Sequence, residues 1–288
     1  MRKRIVPLLF VPILISAFAA LMPLQAFAAT QHHTAHFYLK HIKAAGSNLR
    51  YYGGPVMTGT QNVYAIFWEP TGNVQSGYNS LIQRYFADVN GSGLYHNNTQ
   101  YHNSSGSYPS GEHLVASWVD TRAYPANPIL DSDIQSEVSR AQSVNGWSSS
   151  IHNIFFVFLQ ANEDLCFDSS YSQCASNYFC AYHSYFGSNS IYAAMPYAAS
   201  FSCNPGTSPN HNDADQTINV TSHEQMEAAT DPLLNAWYDS SGNEIGDKCA
   251  WIFGPLNSSG GDVTWNGHSY IVQKEWDNAK SGCVLSGP

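Results

Sequence analysis

The stretch IHNIFFVFLQ, Ile151–Gln160, decides the fold class. It carries an unbroken apolar run from Ile154 to Leu159. The run is of strand length and rich in Phe and Val, so it reads as a buried central strand. Just upstream, DSDIQSEVSRAQSVNGW offers Asp and Ser caps, then Ile134, Val138 and Ala141 at helical spacing. That pattern predicts a helix over 131–145. Further out, NVYAIFWEP (Asn62–Pro70) is a strand by its β-branched and aromatic content. GYNSLIQRYFADVNGSG sets Leu81, Ile82, Tyr85 and Phe86 on one helical face, stopped by Gly91 and Gly93. Residues 94–111 read as a loop, and HLVASWVDT alternates as a second strand. Residues 162–190 read as a cysteine-bearing insertion, and SIYAAMPYA (Ser190–Ala198) as a strand, either at a sheet edge or within the sheet. VTWNGHSYIVQKEWDNAKSGC predicts a hairpin with Asn266-Gly267 at its turn. Strands and helices alternate early and hairpins come late. The expected class is α/β or α+β: a mixed sheet with flanking helices and a C-terminal hairpin.

The first residues have another purpose. Arg2, Lys3 and Arg4 precede an apolar run from Ile5 to Met22, and Ala26-Phe27-Ala28 follows as a cleavage signal. Residues 1–28 therefore read as a secretory signal peptide. Residues 29–50 read as a flexible N-terminal arm, and 51–288 as one secreted domain. Losing the signal takes the formal charge from −9 to −12. Such an acidic chain is a poor nucleic-acid binder, because phosphate contacts need clustered Lys and Arg. No later segment is apolar enough to cross a membrane, and the expected form is a monomer. Charged residues are 11% of the chain and aromatics 14%, so Ser, Asn, Gly, Thr and Tyr must make the surface. That composition suits work beside extracellular polymers. Cys166, Cys174, Cys180, Cys203, Cys249 and Cys283 are an even set, which argues for disulfides. The expected pairing joins Cys249 to Cys283, leaving four to staple residues 166–203.

The chemistry concentrates in TSHEQMEAATDP, Thr221–Pro232. On a helix, His223 and Glu227 share a face one turn apart, where an imidazole and a carboxylate can hold one Zn²⁺. Glu224 points about 100° around the axis. From there it can act as general base on a metal-bound water. The second histidine of H-E-x-x-H is absent. Carboxylate ligands suit harder ions, so another divalent metal is also open. Asp231 suits capping better than ligation. His183 is a rival ligand with an ordinary structural role as its alternative. His211, Asp213 and Asp215 look like helix-start residues. Tyr238, His268 and Tyr270 are candidate donors to a transition-state oxyanion.

Glu244 follows Glu227 by 17 residues in GNEIGDKC, and Asp247 lies three beyond. This resembles the gluzincin arrangement. The resemblance implies Glu244 as third metal ligand and Asp247 as the carboxylate that orients His223. The order of elements is likewise similar to zincin folds, in which an edge strand pairs with an extended substrate. Longer stretches resemble a different family. YYGGPVMTGTQNVYAIFWEP (51–70), CAYHSYF (180–186), DPLLNAWYDSSGNEIGDKC (231–249) and SYIVQKEW (269–276) resemble, in order, segments of the EXORDIUM/phosphate-induced proteins. The H-E pair resembles that of bacterial relatives. This resemblance implies a secreted protein linked to growth and cell-wall responses. Two functions are thus expected. One is a secreted zinc metallopeptidase that cleaves peptide or protein substrates with metal-activated water. The other is a non-catalytic binding or signalling protein at a cell-wall polymer, with Trp237, Trp251 and Trp265 available to stack on sugars.

Overall fold

A computed structural model describes residues 35–40 and 47–288. Contacts divide the chain into residues 1–32 and 33–288. The expected signal peptide and parts of the expected arm lie outside the described residues.

A six-stranded sheet organises the second unit. Its strands are β1 (His36–Leu39), β2 (Gly59–Trp68), β3 (Pro109–Asp120), β4 (Asn153–Leu159), β5 (Phe179–Phe186) and β6 (Ser190–Met195), in the order β1-β5-β6-β4-β2-β3. β3, β2, β4 and β6 run parallel; β5 is antiparallel to both β6 and β1. Three long helices flank it: α1 (Tyr78–Val89), α2 (Asp131–Asn145) and α3 (Ala214–Thr230). Every residue of β4 is buried. Ile154, Phe156 and Phe158 share a core with Ile82 and Phe86 of α1 and Ile218 and Met226 of α3. Phe155, Val157 and Leu159 share the other core with Ile134, Val138 and Ala141 of α2. A strand covered on both faces has no polar side, so its sequence shows no alternation. Each such aromatic ring contributes roughly 2–3 kcal/mol by burial. The class is therefore α/β, with a mixed sheet between helical layers. Gly146, at φ 71°, ends α2 as a left-handed cap.

The hairpin joins β7 (Val263–Trp265) to β8 (His268–Tyr270). Asn266 and Gly267 both take positive φ at its turn, as a two-residue type I′ connection requires. Three disulfides use all six cysteines: Cys166–Cys174, Cys180–Cys203 and Cys249–Cys283. Among the described residues no helix is long and apolar enough to cross a membrane.

Four local expectations are corrected. Residues 36–39, expected within a flexible arm, form strand β1 against β5. The cysteine-bearing stretch 162–190 contains the eight-residue strand β5. Residues 190–195 are not a sheet edge; β5 and β4 pair on either side and every residue is buried. The loop over 94–111 includes the short helix Gly93–His96, capped by the Ser92 side chain.

Candidate functional site

Helix α3 is polar in sequence yet buried on nearly every side. A helix of this kind must find internal partners for its polar groups, since leaving them dry is costly. Many are found. The Tyr85 hydroxyl donates to Gln225 Oε1 at 2.8 Å, and Tyr78 and Thr217 hydroxyls pair at 2.8 Å. The Gln273 backbone N–H donates to Asn219 Oδ1 at 2.8 Å. At the C-terminus, Asp231 Oδ1 accepts the N–H groups of Asn235 (2.6 Å) and Ala236 (2.7 Å) and turns the chain away. At the start, Asp215 accepts from the Ser208 hydroxyl at 2.7 Å and the Asn210 N–H at 2.9 Å.

The middle of the helix meets a cluster of acids and imidazoles. His183 on β5 faces α3 and is fully buried, as are His223, Glu224, Glu227, Glu244 and Glu275. His183 Nδ1 lies 3.3 Å from Glu224 Oε2 and 3.6 Å from Glu227 Oε2. Its Nε2 lies 3.7 Å from Glu244 Oε2 and 3.4 Å from the Asp231 carbonyl oxygen. His223 Nε2 lies 3.1 Å from Glu227 Oε1. Two groups offer ligand atoms within 4.8 Å of one another: His183 with Glu227 and Glu244, and His223 with Glu224 and Glu227. Glu227 belongs to both. The structure thus brings His223, Glu224 and Glu227 together on one helix, and it sets Glu244 beside His183.

Three further contacts define His223. Tyr38 of β1 stacks on its ring with centroids 4.0 Å apart, and Trp251 stacks on Tyr38 in turn. Gly246 passes so close that a Cβ there would stand 2.5 Å from His223 Nδ1. The Gln273 amide nitrogen lies 3.0 Å from Nδ1 and donates to the Gly246 carbonyl at 2.9 Å. Asp247 acts mainly elsewhere. Its N–H donates to Glu227 Oε1 at 3.0 Å and its Oδ2 accepts the Glu244 N–H at 3.1 Å, while Oδ1 stands 3.9 Å from His223 Nε2. The residue at the second nitrogen of His223 is therefore Gln273. In the sequence it is one glutamine inside SYIVQKEW, and its only signal is polarity within an apolar run.

Electrostatics in this dry region oppose isolated charge. Burial pushes Glu224 up to about 7, although His183 and His223 pull it down. Burial also acts to raise Glu227, but His223 and His183 overcome it and hold that carboxyl well below the usual range. Burial disfavours a charged His183, yet Glu244, Glu224 and Glu227 raise it above the ordinary imidazole value. The same competition, with Glu227 the main neighbour, pushes His223 up to about 10. Burial raises Glu275. Such a cluster is stable only when protons or a cation neutralise its carboxylates.

Along most of its length the chain is similar to EXORDIUM-like proteins. It is 27% identical to Protein EXORDIUM-like 3 of Arabidopsis thaliana, with 82% of each chain covered. It is 24% identical to Protein EXORDIUM-like 5 of the same plant, covering 84% of this chain and 78% of the relative. No family model matches the sequence, and no solved structure matches it.

The remaining candidates lie in other settings. His268 and Tyr270 both contact Asp88 of α1, and Tyr270 also accepts from Arg84 at 3.0 Å. Tyr238 stacks on Tyr52 with centroids 4.0 Å apart. Trp237, Trp251 and Trp265 do not form one exposed face. All three pack on the core, and the indole N–H groups of Trp237 and Trp251 donate to the His102 and Leu39 carbonyls.

Proposed function

We propose that the chain is an extracellular, non-catalytic protein of the EXORDIUM type that binds a neutral wall polymer. The observation that carries this reading is the closure of the H-E centre. His223, Glu224, Glu227 and Glu244 have no exposed surface, and the Glu224 carboxylate lies against His183. A catalytic metal needs an open position for water and substrate, and a general base must reach the proton it takes. Similarity to the EXORDIUM-like proteins supports the same reading. Export is supported by the basic and apolar N-terminal sequence and by three disulfides, which persist in oxidising compartments.

The stacked pair Tyr52 and Tyr238 is the binding face of choice. Its rings are almost parallel, at 2°, and Tyr52 is 48% exposed. Tyrosine combines a large apolar face with a polar tip. The test is co-sedimentation of the secreted protein with insoluble neutral polysaccharides, beside a peptide-hydrolysis assay. Wild type should bind and cleave nothing. Tyr52→Ala should bind about tenfold more weakly, about 1.4 kcal/mol. Peptide cleavage that Glu224→Gln abolishes would overturn the proposal.

One observation favours a metallopeptidase as a second reading. The cover over His223 is Tyr38, carried by the edge strand β1 near the N-terminus. Removing that strand would uncover the H-E pair. A chain beginning at residue 47 that still cleaves no peptide would end this reading.

A further inference from the structure

The buried acids and imidazoles carry more than a sealed remnant of an H-E motif. We propose that they form a structural divalent-cation site whose imidazole ligand is His183, completed by Glu227 and Glu244. His223 is then a positioning residue that acts on Glu227. This assignment does not depend on whether the protein binds a polymer.

Geometry comes first. The His183 ring and the Glu227 and Glu244 carboxylates offer ligand atoms within 4.8 Å of one another, from β5, α3 and the loop after it. Glu227 Oε2 stands 3.6 Å from His183 Nδ1 and Glu244 Oε2 stands 3.7 Å from its Nε2, with Glu224 Oε2 nearer still, 3.3 Å from Nδ1. Ligand atoms around a tetrahedral cation with bonds of about 2.0–2.2 Å stand roughly 3.3–3.6 Å apart. Glu227 and Glu244 approach opposite ring nitrogens, so to share one ion the ligand atoms, now within 4.8 Å of one another, must close toward that spacing by side-chain rotation.

The two histidines differ in their second nitrogen. A metal-bound imidazole donates its other N–H to a carbonyl or carboxylate. Around His183 both nitrogens face acceptors: carboxylates at Nδ1, and Glu244 with the Asp231 carbonyl at Nε2. Either nitrogen can take a cation while the other donates. His223 lacks this arrangement. Its Nδ1 faces the Gln273 amide nitrogen, and the bond from that amide to the Gly246 carbonyl fixes the amide's orientation. Nδ1 then accepts, so Nε2 carries the proton, with Glu227 Oε1 3.1 Å from that nitrogen. That proton occupies the nitrogen a metal would need.

Charge supplies the independent observation. Glu224, fully buried, has an Oε1 with no hydrogen-bond partner among the described residues, while its Oε2 lies 3.3 Å from His183 Nδ1. An unpaired buried carboxylate oxygen is expensive. Lys248, the nearest basic residue in sequence to Glu244, is turned to Asp239 at 3.3 Å and over the Trp276 ring. A dipositive ion answers the surplus of carboxylates. One imidazole with two or three carboxylates suits Zn²⁺ or Mn²⁺. Full burial makes the role structural, tying β5, α3 and the 244–247 loop together.

The experiment is elemental analysis of the secreted full chain, followed by chelation under mild denaturant and Co²⁺ titration read by visible absorption. Wild type should carry close to one divalent cation per chain and regain a Co²⁺ spectrum. His183→Ala and Glu244→Gln should lose both. Glu244→Gln keeps size and polarity, so it tests the site if His183→Ala fails to fold. His223→Asn should keep the cation, with affinity lowered about 10–100-fold as expected for a residue supporting a ligand. Loss of the cation from folded His223→Asn, with retention in His183→Ala or Glu244→Gln, would overturn the assignment. So would folded wild type that neither carries a cation nor takes up Co²⁺.

Discussion

Glu112 shows what a single buried acid does to stability in this fold. It sits on β3 with 2% of its surface exposed, and burial pushes its carboxyl up to about 8, partly offset by Gln225 of α3. In the unfolded chain the same group titrates near 4.5. Between these values the folded state binds the proton more tightly. Stability must therefore fall as pH rises through that window, by an amount on the order of a few kcal/mol. Thermal melts at pH 5 and pH 8 should show wild type losing more than Glu112→Gln, which carries no proton to lose. Glu137 is also raised to about 8 and keeps a residual slope of the same sign. Equal pH dependence in the variant would remove Glu112 as the source. Gly246 makes a second residue-scale case. Its φ is ordinary at −78°, so the demand for glycine comes from space alone. A methyl group there meets His223 Nδ1 at 2.5 Å and Glu227 Oε1 at 3.0 Å. Gly246→Ala should cost about 1–3 kcal/mol, as overpacking a tight interior does. Urea denaturation measures it, and an unchanged midpoint would show that the loop yields freely.

At the scale of elements, β5 joins the sheet to the centre. It carries His183, pairs with β1 and β6, and is tied through Cys180 to Cys203 ahead of α3. The bridge closes a sequence separation of 23 residues. Chain entropy then gives it about 3 kcal/mol, so Cys180→Ser with Cys203→Ser should lower stability by that amount in denaturant melts. A pair of substitutions without effect would mean that sheet pairing alone holds β5. This strand also marks the limit of sequence reading. β4, α1 and α2 were legible because an apolar run or a helical period reports burial directly. FCAYHSYF has neither: His183 is buried because the helix above it is itself polar. α3 hides its role for the same reason, since a helix buried all round has no water-facing side to reveal. His223, Glu224 and Glu227 were nonetheless legible as a group, because i and i+4 spacing is local. The place of His183 beside Glu227 and of Tyr38 over His223 depends on sheet order, which spacing does not encode.

For the molecule as a whole, charge is sparse and its net is negative. Lys and Arg total 12 against 21 acids in the full sequence, and only 11% of residues are charged. Several of the basic groups are already committed: Arg140 to Asp120, Lys248 to Asp239 and Arg84 to Asn210. The surface instead exposes tyrosines such as Tyr52, Tyr108 and Tyr171. A polymer held by such a surface is held by ring faces and neutral hydrogen bonds. Those forces act at contact and are not screened, whereas attraction between separated charges is lost once the Debye length shrinks from about 10 Å at 0.1 M salt to about 3 Å at 1 M. Retention on a neutral polysaccharide should therefore change less than about twofold over that range. An anionic polymer should be excluded at low salt, because the net negative field repels it. Co-sedimentation across the salt series, with Tyr52→Ala beside wild type, reads both effects. Steep loss of neutral-polymer binding with salt would place the contact on charged groups and remove the tyrosine pair from it.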